Sequence, residues 1–325
     1  MKKVINVGII GRNFGYKVIY KAIQNDKSFK VIGFSYKNKS KKNNLSNNFK
    51  VYPNWKKLVL DKKINAVIIS SPPKTHKDII KLAIKNNKHI FCEKPVTTSL
   101  KDISLICKLL NKKEICNFVN YEFTNIEAFK LFKEKYLKKI KISKIKIDWS
   151  IKIPNKKRSK WKDSHSKGGG IFYNYICHVL FYLENLFGKL SIVNSCIKKS
   201  KNNFQFESNF YIMKKKISVS FNFKTSNKLS KIKPSHKITI YTNNANYILF
   251  TKINSLYDQF YLFKNNRIIF KPKKTSKDFR IKPTSRNLIY FKNSILKKRK
   301  KFPNFNDAKR IHYLIKKIIN SSKFK

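Results

Sequence analysis

The tripeptide Glu93-Lys94-Pro95 ends the apolar run His89-Ile-Phe-Cys92. An ammonium group at the end of a strand is suited to stabilise negative charge that develops on a reacting oxygen. Proline stiffens the exit from that strand, so the lysine is held in place rather than loosely tethered. Further along, Asn174 and His178 are four residues apart in an apolar segment. An imidazole titrates near neutrality and can exchange a proton, although a histidine in such a segment is equally explained as part of a core. Tyr173 and Tyr175 offer hydroxyls of their own, and aromatic packing accounts for them as well.

A second cluster has the makings of an anion cradle. Gly11-Arg12-Asn13-Phe14-Gly15 follows Val7-Gly8-Ile9-Ile10. Glycines between a strand and a helix permit a tight turn and close backbone approach to a pyrophosphate, whose charge then sits on the helix N-terminus. Asn13 stands where a second glycine is expected; asparagine tolerates left-handed geometry, but its side chain narrows the approach. Alone, such a turn is as often structural punctuation as a ligand site. The strand-turn-helix setting favours the ligand site. Ser71 and Pro72, with Ser70 and Pro73, end another apolar strand, and His76 lies just beyond them. His76 reads either as lining the same ligand or as an ordinary residue at the start of a helix.

These groups require a scaffold. Val4 to Ile10, Lys30 to Ser35, Ile64 to Ser70, His89 to Cys92 and Ile115 to Val119 read as strands, with helices starting near Gly15, Thr75 and Ser99. That alternation predicts a parallel α/β sheet covered on both faces, with the candidate groups at its strand ends. After Glu122 the pattern changes. A helical segment from Asn125 to Lys138 leads to Ile145, Ile147, Trp149, Ile151 and Ile153, and Ile217, Val219, Phe221 and Phe223 repeat this period of two. Such strands bury one face and leave the other polar. The expected second domain, residues 122–325, is an α+β unit with an open, largely antiparallel sheet, and a helix from Ile171 to Leu186 on its apolar face. Helices at about Thr284 to Lys298 and Asn306 to Ser321 close the chain, with the option of packing back on the first domain, residues 1–121. Lys297 to Lys301 reads as a short solvated charge run.

A length of 325 residues suits two cores, and 41% hydrophobic with 14% aromatic residues supply both. The net charge of +59 invites a nucleic-acid reading. Its distribution argues against specific nucleic acid recognition: the lysines occur in every segment, and only seven of the 75 basic residues are arginine. Abundant lysine, asparagine, isoleucine, phenylalanine and tyrosine with only 8 glycines is the usage that an AT-rich coding sequence favours. The five cysteines are scattered and never in CxxC spacing, so neither a disulfide framework nor a metal site is indicated, and a reducing, cytoplasmic setting is expected. Met1-Lys2-Lys3 reads as the approach to the first strand, and no window approaches the roughly 18 apolar residues of a membrane span.

With Gly11 to Gly15, Ile64 to His76, Lys88 to Pro95, Gly168-Gly-Gly170 with His178, and Pro303 to Ala308 in this order, the chain resembles the glucose-fructose oxidoreductase, inositol dehydrogenase and MocA-like oxidoreductases. The resemblance implies a Rossmann domain followed by an open-faced α/β domain, a nicotinamide cofactor, a sugar, sugar derivative or cyclitol as small-molecule substrate, and a homo-oligomer. It implies that Lys94 touches the nicotinamide ribose and the reacting hydroxyl, that His178 exchanges the hydroxyl proton, and that Asn174 occupies a position often held by aspartate. Gly11, Asn13, Phe14, Gly15, Ser35, Tyr36, Lys37, Ser71, Pro72, His76, Glu93 and Lys94 are its cofactor-binding positions. The asparagines at 13 and 174 keep open an alternative, a catalytically degenerate member that binds a nucleotide or sugar as a sensor or scaffold.

Between NAD and NADP the residues favour NADP. A preference for NAD calls for an acidic residue at the end of the second strand, to accept from the ribose hydroxyls and repel a 2′-phosphate. Here that strand ends Phe34-Ser35-Tyr36-Lys37, and residues 27 to 60 contain no Asp or Glu. Ser35, Lys37 and Lys39 are groups that can meet a 2′-phosphate.

Overall fold

The computed structural model describes residues 4–37, 49–152, 164–200, 203–226, 233–255, 257–297 and 303–324. Lys39, Ile153 and most of the 297–301 charge run lie outside the described residues. The chain divides into two compact units, one of Met1–Glu122, Ser159–Cys177 and Thr284–Tyr313, the other of Phe123–Arg158, His178–Pro283 and Leu314–Lys325.

The first unit holds β1 (Ile5–Ile10), β2 (Phe29–Ser35), β3 (Lys50–Val51), β4 (Ala66–Ile69), β5 (His89–Cys92) and β6 (Asn117–Val119). They form one sheet in the order β3-β2-β1-β4-β5-β6, parallel throughout. This is the doubly wound order, in which the chain reverses direction across the sheet between β1 and β4 and opens a crevice at their carboxyl ends. Every residue of β4 is buried, as expected of a strand covered on both faces. The crossovers are α1 (residues 13–23), α2 (Trp55–Leu60), α3 (His76–Lys85) and α4 (Leu100–Asn111). Ser99 caps α4 by accepting from the Asp102 amide at 3.1 Å.

The strand boundaries differ from the sequence pattern where local hydrogen bonds replace the ladder. The Cys116 amide donates to His89 Nδ1 at 3.1 Å, and the sixth strand starts only at Asn117. Ile64 closes a turn onto the Asp61 carbonyl at 3.2 Å, and the fourth strand starts at Ala66.

In the second unit, α5 (Glu127–Leu131) continues into a wider π-type turn, Phe132–Tyr136. Nine strands follow in the sheet: β7 (Ile142–Lys152), β8 (Leu190–Lys199), β9 (Phe204–Ile212), β10 (Ile217–Ser226), β11 (Ser235–Thr242), β12 (Asn246–Lys252), β13 (Tyr261–Lys264), β14 (Arg267–Phe270) and β15 (Lys323–Phe324). Their order is β14-β13-β12-β11-β7-β10-β9-β8-β15, with only β7–β10 and β8–β15 parallel. The open, largely antiparallel sheet is therefore present. Ile145, Ile147, Trp149 and Ile151 are buried while Lys146 and Lys152 are exposed, so the period of two does separate an apolar face from a polar one. The helix α6 (residues 170–187) contributes Tyr182, whose hydroxyl meets His236 Nε2 of β11 at 3.1 Å, as a helix lying on the apolar face requires. The closing helices are α7 (Ile281–Leu296) and α8 (Phe305–Ser321). Within the first unit, Phe291 of α7 packs edge-on against Phe91 and Phe118, at 5.6 and 6.3 Å between ring centres.

All five cysteines are free thiols. Among the described residues no helix is long and apolar enough to cross a membrane, and no group of His, Cys, Asp and Glu is placed to hold a metal ion.

Candidate active site

The glycine turn is built by close approach between backbones. The Gly11 amide donates to the Ser35 carbonyl at 2.9 Å, tying the exits of β1 and β2. Gly11 has φ +111°, and a Cβ there would lie 2.5 Å from the Ser70 carbonyl oxygen at the exit of β4. A Cβ on Gly15 would lie 2.6 Å from Ser70 Oγ, which itself donates to the Ile10 carbonyl at 3.1 Å. Three strand ends thus converge on positions that admit no side chain. The α1 N-terminus follows directly, with Asn13 exposed and Phe14 half-buried; the free amides of a helix N-terminus are groups of the kind that hold a pyrophosphate. These features fit a dinucleotide.

Ser35 is buried, Tyr36 half-buried and Lys37 exposed at the exit of β2. The Arg12 guanidinium carbon lies 5.6 Å from the Tyr36 ring centre, a cation–π pairing that no local sequence pattern announces.

His76 lies buried between the β4 and β5 exits and, when neutral, donates to one of the two carbonyls that its ring nitrogens face. Its ring is fully buried, with Nε2 2.8 Å from the Ser71 carbonyl oxygen and Nδ1 3.0 Å from that of Pro95. Burial pushes this imidazole down to about 4, so it is neutral at physiological pH. Ser71 Oγ lies 2.7 Å from Thr75 Oγ1, which donates to the Pro72 carbonyl at 2.8 Å and rigidifies the entry to α3.

Glu93 is anchored from the other side. Asn120 Nδ2 donates to Glu93 Oε1 at 2.6 Å, and Asn120 Oδ1 accepts from Asn287 Nδ2 at 2.8 Å. Asn120, Asn287 and Thr284 are fully buried, and Asn120 Nδ2 also reaches Thr284 Oγ1 at 3.2 Å. Such a network is costly unless its members are satisfied, and satisfied it fixes one geometry. This support was not legible in the sequence, because it joins residues far apart along the chain.

Lys94 leaves the end of β5 across the cis Lys94–Pro95 peptide and points its ammonium at α6. Its Nζ donates to the Asn174 carbonyl at 2.8 Å, with the Tyr173 carbonyl at 3.5 Å. Both carbonyls belong to a π-type widening, Phe172–Ile176, and the Tyr173 carbonyl also accepts from Cys177 Sγ at 3.0 Å. A π-turn shifts the regular ladder and is a common way to present backbone groups at a functional site. The Tyr173 side chain faces elsewhere: its hydroxyl lies 3.1 Å from His312 Nδ1, and burial pushes the phenol up to about 12. His178 falls in the second unit, where its buried ring sits 4.7 Å from that of Phe123.

Lys94 and Asn174 are thus brought together through the backbone of one and the side chain of the other. Gly11, Ser35 and Ser70 are joined directly, as are His76, Ser71 and Pro95.

Residues 5–121 match the model of an oxidoreductase family with an NAD-binding Rossmann fold. An uncharacterized oxidoreductase of Synechocystis is 28% identical over 193 residues, covering 57% of this chain and 52% of that protein; the chain spans about half the length of this curated relative. A solved levoglucosan dehydrogenase in complex with NADH superposes with a TM-score of 0.80 at 16% identity, covering 98% of this chain and 96% of that one. A 3-ketoreductase from Actinomadura kijaniata in complex with NADP and TDP-benzene gives 0.78 at 13% identity, covering 99% and 98%. At those identities the structural likeness establishes the fold, while the family-model match covers residues 5–121. Residues 5–121 are thus similar to the GFO_IDH_MocA oxidoreductases and match that family's NAD-binding Rossmann fold.

Proposed function

We propose that this protein is a nicotinamide-dependent oxidoreductase acting on a CH–OH group of a sugar, sugar derivative or cyclitol, with NADP(H) as the preferred cofactor. The observation that carries the proposal is Lys94: a cationic amine at the carboxyl end of β5, aimed by the carbonyls of Tyr173 and Asn174. The dinucleotide would be held by the Gly11–Gly15 turn and the α1 N-terminus, by Ser35, Tyr36 and Lys37, and by the strand exits at Ser71, Pro72, Glu93 and Lys94. When bound, the nicotinamide supplies the two-electron acceptor or donor.

The remaining work falls to side chains. The Lys94 ammonium binds the substrate oxygen and stabilises the charge that grows on it, a role that preorganised donors fill without reorganisation cost. His178 exchanges the hydroxyl proton, and the Asn174 amide orients that hydroxyl. His76, which the dinucleotide would also pass, and Asn120 support the Glu93-Lys94-Pro95 exit through their contacts with Pro95 and Glu93.

The relatives support the substrate class: the solved levoglucosan dehydrogenase binds levoglucosan in one complex. Asn174, where the resemblance leads to aspartate, favours a second reading, a degenerate member that binds without turning over. Cofactor-dependent absorbance change with a panel of sugars and cyclitols separates the two. Turnover with any member of the panel supports the enzyme; dinucleotide and sugar binding with no turnover supports the second reading.

A further inference from the structure

We propose that His312 is a positioning residue for Lys94: through the Tyr173 hydroxyl it fixes the turn whose carbonyls hold the lysine ammonium. This rests on the reading above, in which Lys94 acts on the substrate oxygen. Lys94 Nζ donates to the Asn174 carbonyl at 2.8 Å and faces that of Tyr173 at 3.5 Å. Both acceptors are backbone groups of the π-type turn Phe172–Ile176, so the place of the ammonium follows the place of that turn.

A π-turn interrupts the regular helical ladder, and surrounding contacts must decide where its carbonyls lie. Residue 173 supplies one such contact from its side chain. The Tyr173 hydroxyl lies 3.1 Å from His312 Nδ1, with the two rings 5.0 Å apart and tilted by 43°. Both residues are buried, so breaking this bond leaves polar atoms that water does not readily reach. Burial pushes the phenol up to about 12, and a protonated hydroxyl therefore faces the imidazole throughout the neutral range. A tyrosine has only two side-chain torsions, and a bond at its far end leaves the backbone of residue 173 little room to swing.

His312 is in turn fixed to the strand that carries Lys94. It lies on α8, whose start is tied to β6: the Val119 amide donates to the Pro303 carbonyl at 3.0 Å, and the Phe305 amide to Asn117 Oδ1 at 2.8 Å. β6 pairs with β5, Val119 lying opposite Cys92 just before Lys94. The contacts thus run in a closed circuit from Lys94 through the turn, Tyr173, His312, α8 and β6 back to β5. On the other side of the turn Gly168 has φ +76°, and a Cβ there would lie 2.7 Å from Pro73 Cβ and 3.1 Å from Thr98 Cγ2. Close packing therefore holds the segment before the turn, and the tyrosine–histidine bond holds it within.

The test is competitive acetylation of the full-length protein with acetic anhydride, without added dinucleotide, read lysine by lysine by peptide mass spectrometry. Lys88 is the internal control. Its Nζ also donates to two carbonyls, those of Asp61 and Ile64 at 2.9 and 2.6 Å, but at the opposite, amino-terminal ends of β4 and β5. His312→Leu and Tyr173→Phe are each expected to raise labelling of Lys94 at least about threefold and to leave that of Lys88 nearly unchanged, since local opening frees only the amine that depends on the turn. His312→Asn, whose amide can still meet the Tyr173 hydroxyl, is expected to label like wild type. Tyr173→Phe decides the matter if His312→Leu does not fold. Unchanged Lys94 labelling overturns the role of His312, and so does a parallel rise at Lys88, which marks a general loss of stability. If Lys94 labelling rises as expected while Lys94→Ala turns over at nearly the wild-type rate, the reaction assigned to Lys94 fails and its positioning by His312 stands.

Discussion

Lys94 Nζ donates to the backbone carbonyl of Asn174 at 2.8 Å, so the contact belongs to position 174 whatever its side chain. Asn174→Asp keeps this bond and adds a carboxylate four residues before His178. The substitution is expected to leave stability within about 0.5 kcal/mol and to raise turnover roughly three- to tenfold, as the proton exchange proposed for His178 requires. Steady-state kinetics and a thermal melt on the same preparation decide it. A fall in turnover would mean that the amide is fitted to the substrate.

Gly11→Ala addresses the cradle. The left-handed φ and the Ser70 carbonyl at 2.5 Å from a Cβ leave no relaxed placement for a methyl group. The variant is expected to lose more than about 1 kcal/mol of stability and to bind dinucleotide at least about tenfold more weakly. An unchanged melting temperature with unchanged binding would remove the close approach of these strand ends from the account.

Acid sensitivity is expected from His236. Its ring is fully buried, stacked on Trp149 at 4.2 Å, and burial pushes it down to about 3. The unfolded chain takes up a proton near the ordinary histidine value of about 6.5, whereas the folded one does so only near the lower value. Stability is therefore fully present above about pH 6.5 and falls as the pH drops toward 3. Between pH 7.5 and 5 the loss from this group is on the order of 2 kcal/mol. His236→Phe keeps the stacked ring and is expected to flatten this part of the stability profile, measured by denaturant melts at several pH values. His76, also depressed by burial, adds to the same limb, so the slope is expected to shrink rather than vanish. An unaltered slope in His236→Phe would contradict the assignment.

Much of this architecture was readable from the sequence because it depends on local apolar pattern. The strands around Val7, Ile68 and Phe91, and the alternation through Ile145 to Ile151, follow from runs and periods that burial enforces. The Gly11–Gly15 turn and Glu93-Lys94-Pro95 were legible for the same reason, since each abuts such a strand. Other features depend on contacts that no window contains. The short β3 and α2 gave weak signals, although Asn54, which accepts from the Lys57 amide at 3.0 Å, is an N-cap of the kind a sequence can show. The Asn120 anchor of Glu93, the approach of Arg12 to the Tyr36 ring, and the π-turn that offers two carbonyls to Lys94 arise only once distant segments pack.

The polar face of the second sheet presents Lys146, Lys152, Ser218 and Lys224 to solvent, with Ser220 and Asn222 partly exposed. We propose that this face joins subunits of a homo-oligomer, and its charge makes that association weaker as salt is lowered. Light scattering is expected to give a mass above 38.5 kDa that falls with dilution at low salt. A monomer at every concentration and salt would exclude this arrangement.

The central claim is that Lys94 acts on charge developing at the substrate oxygen, and the most direct measurement compares wild-type and Lys94→Ala proteins in single-turnover oxidation of a responsive sugar, followed by NADPH absorbance. The variant is expected to fold while its rate at saturating NADP(H) falls about 100-fold or more. A variant that turns over at nearly the wild-type rate would contradict the account.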